Sequence, residues 1–151
     1  MLDELTPEQR AKLARGWVWR PGHAFVQPHP KTGVCDYSNF ARVSCVVDGE
    51  PMAMRGVGIG NPHPVLTDPV TADGLLRTAR AMWQDESLHV VPTDTGFALC
   101  VVRPRTNGER WRYVWDGETW ARPPAGRSLK VQFQSEQAAL LAAILTAPEA
   151  Q

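Results

Sequence analysis

The stretch FALCVVRPRTNGERWRYVWDGETWAR, Phe97 to Arg122, decides the fold. Phe97 to Val102 and Arg110 to Trp115 each alternate with period two, and Asn107-Gly108 lies in the turn between them. Asp116-Gly117 then reads as a two-residue turn, with Glu118 to Arg122 returning along Arg110 to Trp115. Consecutive strands joined by tight turns form an antiparallel meander, not a parallel doubly wound sheet. The turn register predicts Tyr113 opposite Trp120, Trp115 opposite Glu118 and Trp111 opposite Arg122. One face of the hairpin thus holds three Trp and one Tyr. Arg112, Val114, Thr119 and Ala121 occupy the other.

The pattern extends outward from there. Leu88 to Val91 reads as a strand that turns at Asp94-Thr95-Gly96 into Phe97. Leu129, Val131 and Phe133 read as one more strand. Ser135 caps a last helix with Leu140, Leu141, Ile144 and Leu145 facing inward. Upstream, Asp68 caps a central helix whose apolar stripe is Ala72, Leu75, Leu76, Ala79, Met82 and Trp83. Arg42 to Val47 and Glu50 to Val57 pair across Asp48-Gly49, placing Val43, Cys45, Val47, Met52 and Met54 on a buried face. Trp17-Val18-Trp19 alternates as a strand, and residues 28–40 and 56–64 read as loops. Thr6, Pro7 and Gln9 supply the cap, first position and capping box of an N-terminal helix ending at Gly16. The expected fold is α+β: one domain over residues 1–151, with N-terminal, central and C-terminal helices on an antiparallel sheet.

Composition excludes several functional classes. The chain has 151 residues, 43% hydrophobic and 21% charged, enough for a core without disulfides or metals. Sixteen basic residues balance sixteen acidic ones, so no global field draws it to nucleic acid or membrane. Thirteen of the basic residues are Arg. The three cysteines, Cys35, Cys45 and Cys100, are odd in number and lack CxxC spacing, which argues for reduced thiols in a cytoplasm. The acidic start MLDELTPEQR does not read as a signal peptide, and no apolar run approaches the ~18 residues that span a bilayer.

The candidate binding residues are Trp111, Tyr113, Trp115, Trp120, Arg110, Arg112 and Arg122. Arg103, Arg105, Arg127 and Lys130 lie nearby in sequence. Alternation of this kind ordinarily marks the core side of a half-buried sheet. The alternative is a platform on which unpaired bases stack among cations that hold phosphates. Exposed members of Trp17, Trp19, Trp111, Trp115 and Trp120 would instead anchor a protein partner, since Trp and Arg dominate interface hot spots.

No motif for catalysis, a metal or a cofactor emerges. GVGIGN, residues 56–61, follows a strand, but its third glycine comes one residue early for a dinucleotide loop, and Pro62 and Pro64 delay the helix. His23, His29, His63 and His89 lack HxH, HExxH or Cys/His spacing. There is no GxSxG elbow. Cys45 and Cys100 fall on strands as small hydrophobes, and Asp36 beside Cys35 disfavours its thiolate. An enzyme would need a site assembled from loops, with His29, Cys35 and His63 as its members.

Leu66-Thr67-Asp68-Pro69-Val70-Thr71-Ala72-Asp73-Gly74-Leu75-Leu76, then Ala81-Met82-Trp83, resembles a helix of short phage and prophage-type proteins. Trp19-Arg20-Pro21-Gly22 and the helix from Ser135 to Pro148 are similar to the starts and ends of those chains. The resemblance covers about half the chain in pieces and implies no activity, catalytic residue or cofactor. The long Trp-rich meander departs from it. The expected function is a non-enzymatic accessory protein of phage or mobile-element type, binding another protein or itself in a cytoplasm. Single-stranded nucleic-acid binding through residues 103–127 is the alternative.

Overall fold

Residues 5–123 and 131–148 are described by the structure, a computed structural model. The fold is α+β with antiparallel sheets, and the chain divides into two compact units, Met1–Thr78 and Ala79–Gln151.

The first unit opens with helix α1, Pro7–Gly16. Thr6 accepts from the Gln9 amide at 3.1 Å, and the Gln9 side chain accepts from the Thr6 amide at 2.9 Å, closing the expected capping box. Trp17 and Trp19 are both buried, but the expected strand does not form there. The amide of Val18 between them donates to the Thr78 hydroxyl at 3.0 Å, so a side chain takes the place of a ladder partner. Strand β1, Ala24–Val26, is buried at every residue. It is the centre of a three-stranded sheet between β2, Ala41–Arg42, and β5, His63–Pro64. Both edge strands lie at the ends of segments that read as loop or as a different hairpin.

The Asp48-Gly49 turn forms as expected, with φ of 51° and 81°. Both angles are positive, as a primed hairpin turn requires. It joins β3, Cys45–Val47, to β4, Glu50–Met52, with Cys45 opposite Met52. The pair is shorter than its alternation suggested, because Arg42 pairs instead with Ala24, and a 3₁₀ turn at Met54–Gly56 ends the returning arm. The expected buried face is also corrected. Val43 is buried, but Val47 and Met54 are exposed.

The central helix is broken. A single turn, α2, spans Pro69–Ala72, and α3 spans Leu75–Trp83. The amide of Gly74 bonds back to the Thr71 carbonyl at 2.9 Å, a tightened closure that ends α2, and the Gly74 carbonyl then opens α3 by accepting from Thr78. Asp68 caps α2 as predicted, through the Thr71 amide at 3.1 Å.

In the second unit, β6 (His89–Pro92), β7 (Phe97–Pro104), β8 (Arg110–Trp115) and β9 (Trp120–Ala121) form the expected meander in that spatial order. Helix α4, Glu136–Thr146, packs on β7 and β6 and buries Leu140, Leu141 and Ile144. Each such side chain contributes about 1.5–3 kcal/mol when fully buried. Ala98 to Val101 are all buried, so the middle of β7 is covered on both faces and its alternation is not one of in and out. Phe133 joins the sheet only through an isolated bridge to Phe97. The expected strand residue Leu129 lies outside the described residues, as do Arg127 and Lys130.

Candidate binding site on the long hairpin

Five of the candidate residues lie on β8, which pairs with β7, while Trp120 lies on β9 and Arg122 just after it. The β7–β8 register sets Val101 opposite Tyr113, Arg103 opposite Trp111 and Pro104 opposite Arg110. Residues 105–109 close the end, the Arg105 amide donating to the Glu109 carbonyl at 2.7 Å. Every residue from Arg103 to Arg110 is exposed.

The β8–β9 turn differs from its sequence reading. Asp116 to Thr119 form a four-residue loop. The Asp116 carboxylate accepts from the amides of Glu118 at 2.9 Å and Thr119 at 2.8 Å, and Gly117 takes φ 106°. Trp115 therefore pairs with Trp120, two residues away from the predicted register. A slip of two keeps every side chain on its face. Trp111, Tyr113, Trp115 and Trp120 still share one side of the sheet.

That face divides into two parts. Trp115 and Trp120 meet edge-to-face at 5.1 Å, and Trp83 meets them at 5.5 Å and 5.4 Å. Trp115 is buried, and the Trp83 indole donates to the Ala143 carbonyl at 2.7 Å. The Trp120 indole nitrogen is buried with no acceptor among the described residues. Trp120 is half-buried within this cluster, whereas Trp115 is core and leaves the candidate surface. Trp17 and Trp19 leave the set of anchors for the same reason.

Trp111 and Tyr113 remain half-buried toward the hairpin's end. The Arg105 guanidinium carbon lies 3.8 Å from the Trp111 ring centre, and that of Arg122 lies 4.2 Å from it. Arg122 also lies 5.8 Å from the Tyr113 ring and donates to the Arg112 carbonyl at 2.9 Å. The Trp111 indole donates to Glu109 at 3.1 Å. Arg110 and Arg112 alternate onto the opposite face and are exposed. Sequence reasoning named six of these residues but not Arg105's contact, which depends on how the 105–109 turn folds back.

Arg103 is committed elsewhere, in an ion pair with Asp85. Burial pushes the Asp85 carboxyl up, but hydrogen bonds from the Ser87 hydroxyl and amide and from Arg103 outweigh it and hold the group below its ordinary range. Asp85, Ser87 and His89 together look like a triad, but the contacts run in the wrong order for one. The Ser87 hydroxyl donates to Asp85 at 2.6 Å and accepts from the Val102 amide at 2.9 Å, while His89 Nδ1 donates to the Ser87 carbonyl at 2.7 Å. In a nucleophilic triad the acid orients the histidine and the histidine touches the hydroxyl. Here the cluster ties β6 to β7.

The loop-built alternative fares no better. His29 is exposed, and its Nδ1 accepts from the amides of Lys31 at 3.1 Å and Thr32 at 3.3 Å. Cys35 packs against Ala24, Val26 and Val65. His63 is buried in β5, where burial, then Arg10, lowers its pKa. No group of three His, Cys, Asp or Glu among the described residues is placed to hold a metal ion. Gly58 in the GVGIGN stretch bridges back to Met52, so that segment leads into β5 and not into a helix.

Two polar networks in the first unit escaped the sequence reading. Arg42 forks onto Asp68 at 2.9 and 3.0 Å and also donates to the Gly22 carbonyl at 2.9 Å. The Thr71 hydroxyl donates to Asp68 at 2.8 Å and accepts from the buried Ala24 amide at 2.7 Å. The Arg42 guanidinium, with Thr71, holds the Asp68 carboxyl down to about 2. His23 is buried, its Nδ1 accepting from the Trp17 indole at 3.2 Å and the Arg20 amide at 3.1 Å. Burial, then the charges of Arg77 and Arg20, lowers its pKa.

No protein-family model matches the chain, and comparison with curated proteins and with solved structures gives no match either. Among the described residues, no helix is long and apolar enough to cross a membrane.

Proposed function

We propose that this chain is a small non-enzymatic accessory protein, of phage or mobile-element type, that works in a cytoplasm by binding another protein through the end of the β7–β8 hairpin. The observation that carries the reading is the state of Trp111: half-buried, with the guanidiniums of Arg105 and Arg122 at 3.8 and 4.2 Å from its ring. An aromatic ring braced by Arg on an exposed arm has the make-up of an interface hot spot. Nucleic-acid stacking is less well supported. A platform needs free ring faces for successive bases, whereas Trp115 and Trp120 are packed edge-to-face with each other and with Trp83, and Trp111 is already covered by cations.

A photo-crosslinking side chain at Tyr113 tests this, with one at exposed Val70 as the control. The expected adduct forms only from position 113, is removed by protease, resists nuclease, and disappears when Arg105, Arg110 and Arg112 are changed to Glu. A second copy of the chain is one acceptable protein partner. A nuclease-sensitive adduct, or equal adducts from both positions, refutes the reading.

A further inference from the structure

We infer that the partner presents an extended segment rich in carboxylates to this arm; the inference rests on the protein-binding reading above. Residues 103–113 hold four Arg against one acid, Glu109, in a chain whose total charge is zero. Glu109 is turned to the Trp111 indole, and Arg103 is already paired with Asp85. Among the described residues, the guanidiniums of Arg105, Arg110 and Arg112 make no ion pair or hydrogen bond, while Arg122 spends one donor on the Arg112 carbonyl.

A guanidinium laid against an indole keeps its N–H edge in the plane, pointing outward. That edge matches a carboxylate in a two-pronged contact, and the stacking fixes its direction beforehand. Arg105 and Arg122 are preset in this way by one ring. On the reverse face, Arg110 and Arg112 stand two strand positions apart, ~6.8 Å. Acids at alternate positions of an extended chain repeat at the same interval. An exposed Arg fork therefore has an unfilled complement at four places on one short arm.

The test uses the full chain and short fluorescent peptides, one alternating Glu with Ser and one alternating Gln with Ser, beside a thymidine oligonucleotide of matched length. Anisotropy at low salt should show binding of the Glu–Ser peptide alone. Arg105→Gln, Arg110→Gln and Arg112→Gln should each weaken it about three- to tenfold, and Lys at the same positions should restore only part of the loss, since charge returns without the fork. Trp111→Leu should weaken it as well, by releasing Arg105 and Arg122. Arg20→Gln, on the first unit, should leave it unchanged. If the Gln–Ser peptide binds equally, or the segment crosslinked from position 113 is not acidic, the carboxylate inference is overturned while the protein-binding reading stands. If the oligonucleotide binds and the Glu–Ser peptide does not, both are overturned.

Discussion

Replacing Trp115 and Trp111 separately with Ala should divide the aromatic face by stability alone. Trp115 is buried and touches two rings, at 5.1 and 5.5 Å. Truncating a buried Trp costs about 3–5 kcal/mol through lost transfer energy and the cavity left behind. The two edge-to-face contacts, about 0.5–1.5 kcal/mol each, place Trp115→Ala toward the upper end of that range. Trp111 is half-buried, and its main partners are two guanidiniums at the surface. Exposed cation–π contacts contribute about 0.5–1 kcal/mol each, so Trp111→Ala should cost about 1–2 kcal/mol. Urea unfolding followed by far-ultraviolet circular dichroism measures both. A gap of at least ~2 kcal/mol is expected. Equal losses would show that Trp111 is core, and the proposed docking arm would go with it.

Thr71→Val keeps the shape but strands the buried Ala24 amide, now 2.7 Å from the Thr71 hydroxyl; about 1–3 kcal/mol of stability should be lost in urea titration, and Thr71→Ser should recover most of it. Gly96→Ala places a new carbon 2.5 Å from the Phe133 carbonyl oxygen, so it should lower stability by about 1–3 kcal/mol and deprotect the Phe97 amide in hydrogen exchange. Burial lowers the pKa of His23 and His63 in the folded chain, so the unfolded chain binds more protons just below pH ~6.5. Stability should therefore fall as pH drops through that value, and changing both residues to Gln should flatten the curve there. Asp68, held at about 2, supports the fold above its unfolded value of 3.8. A second loss should therefore appear as pH falls from 3.8 toward 2 and should vanish in Asp68→Asn.

Elements closed by local chemistry were legible in the sequence. The Thr6 capping box, the Asp48-Gly49 turn, the Asp68 and Ser135 caps and the four-strand meander each depend on residues a few positions apart, and each formed. Readings failed where a distant group took over a local role. The Thr78 hydroxyl took the Val18 amide that a neighbouring strand would have held. Ala24 took Arg42 out of the Asp48-Gly49 hairpin, and Val26 made a strand of His63. The candidate site was half legible. Alternation placed four aromatic rings on one face, but period two cannot tell which end of that face meets α3 and α4. Trp83 decides that, from a helix whose apolar stripe does not reveal its partners in the sequence.

The length of the Asp116–Thr119 loop bears on how this protein can be edited. Residues added there can be taken up within the corner, because Trp120 shares a face with Trp115 for as long as the two stay opposite, whatever the length of the loop. A one-residue slip of β9 along β8 is different: it would set Ala121 opposite Trp115 and turn the Trp120 indole away from Trp83. Variants of this chain should therefore tolerate changes in loop length better than changes that let the two strands slide.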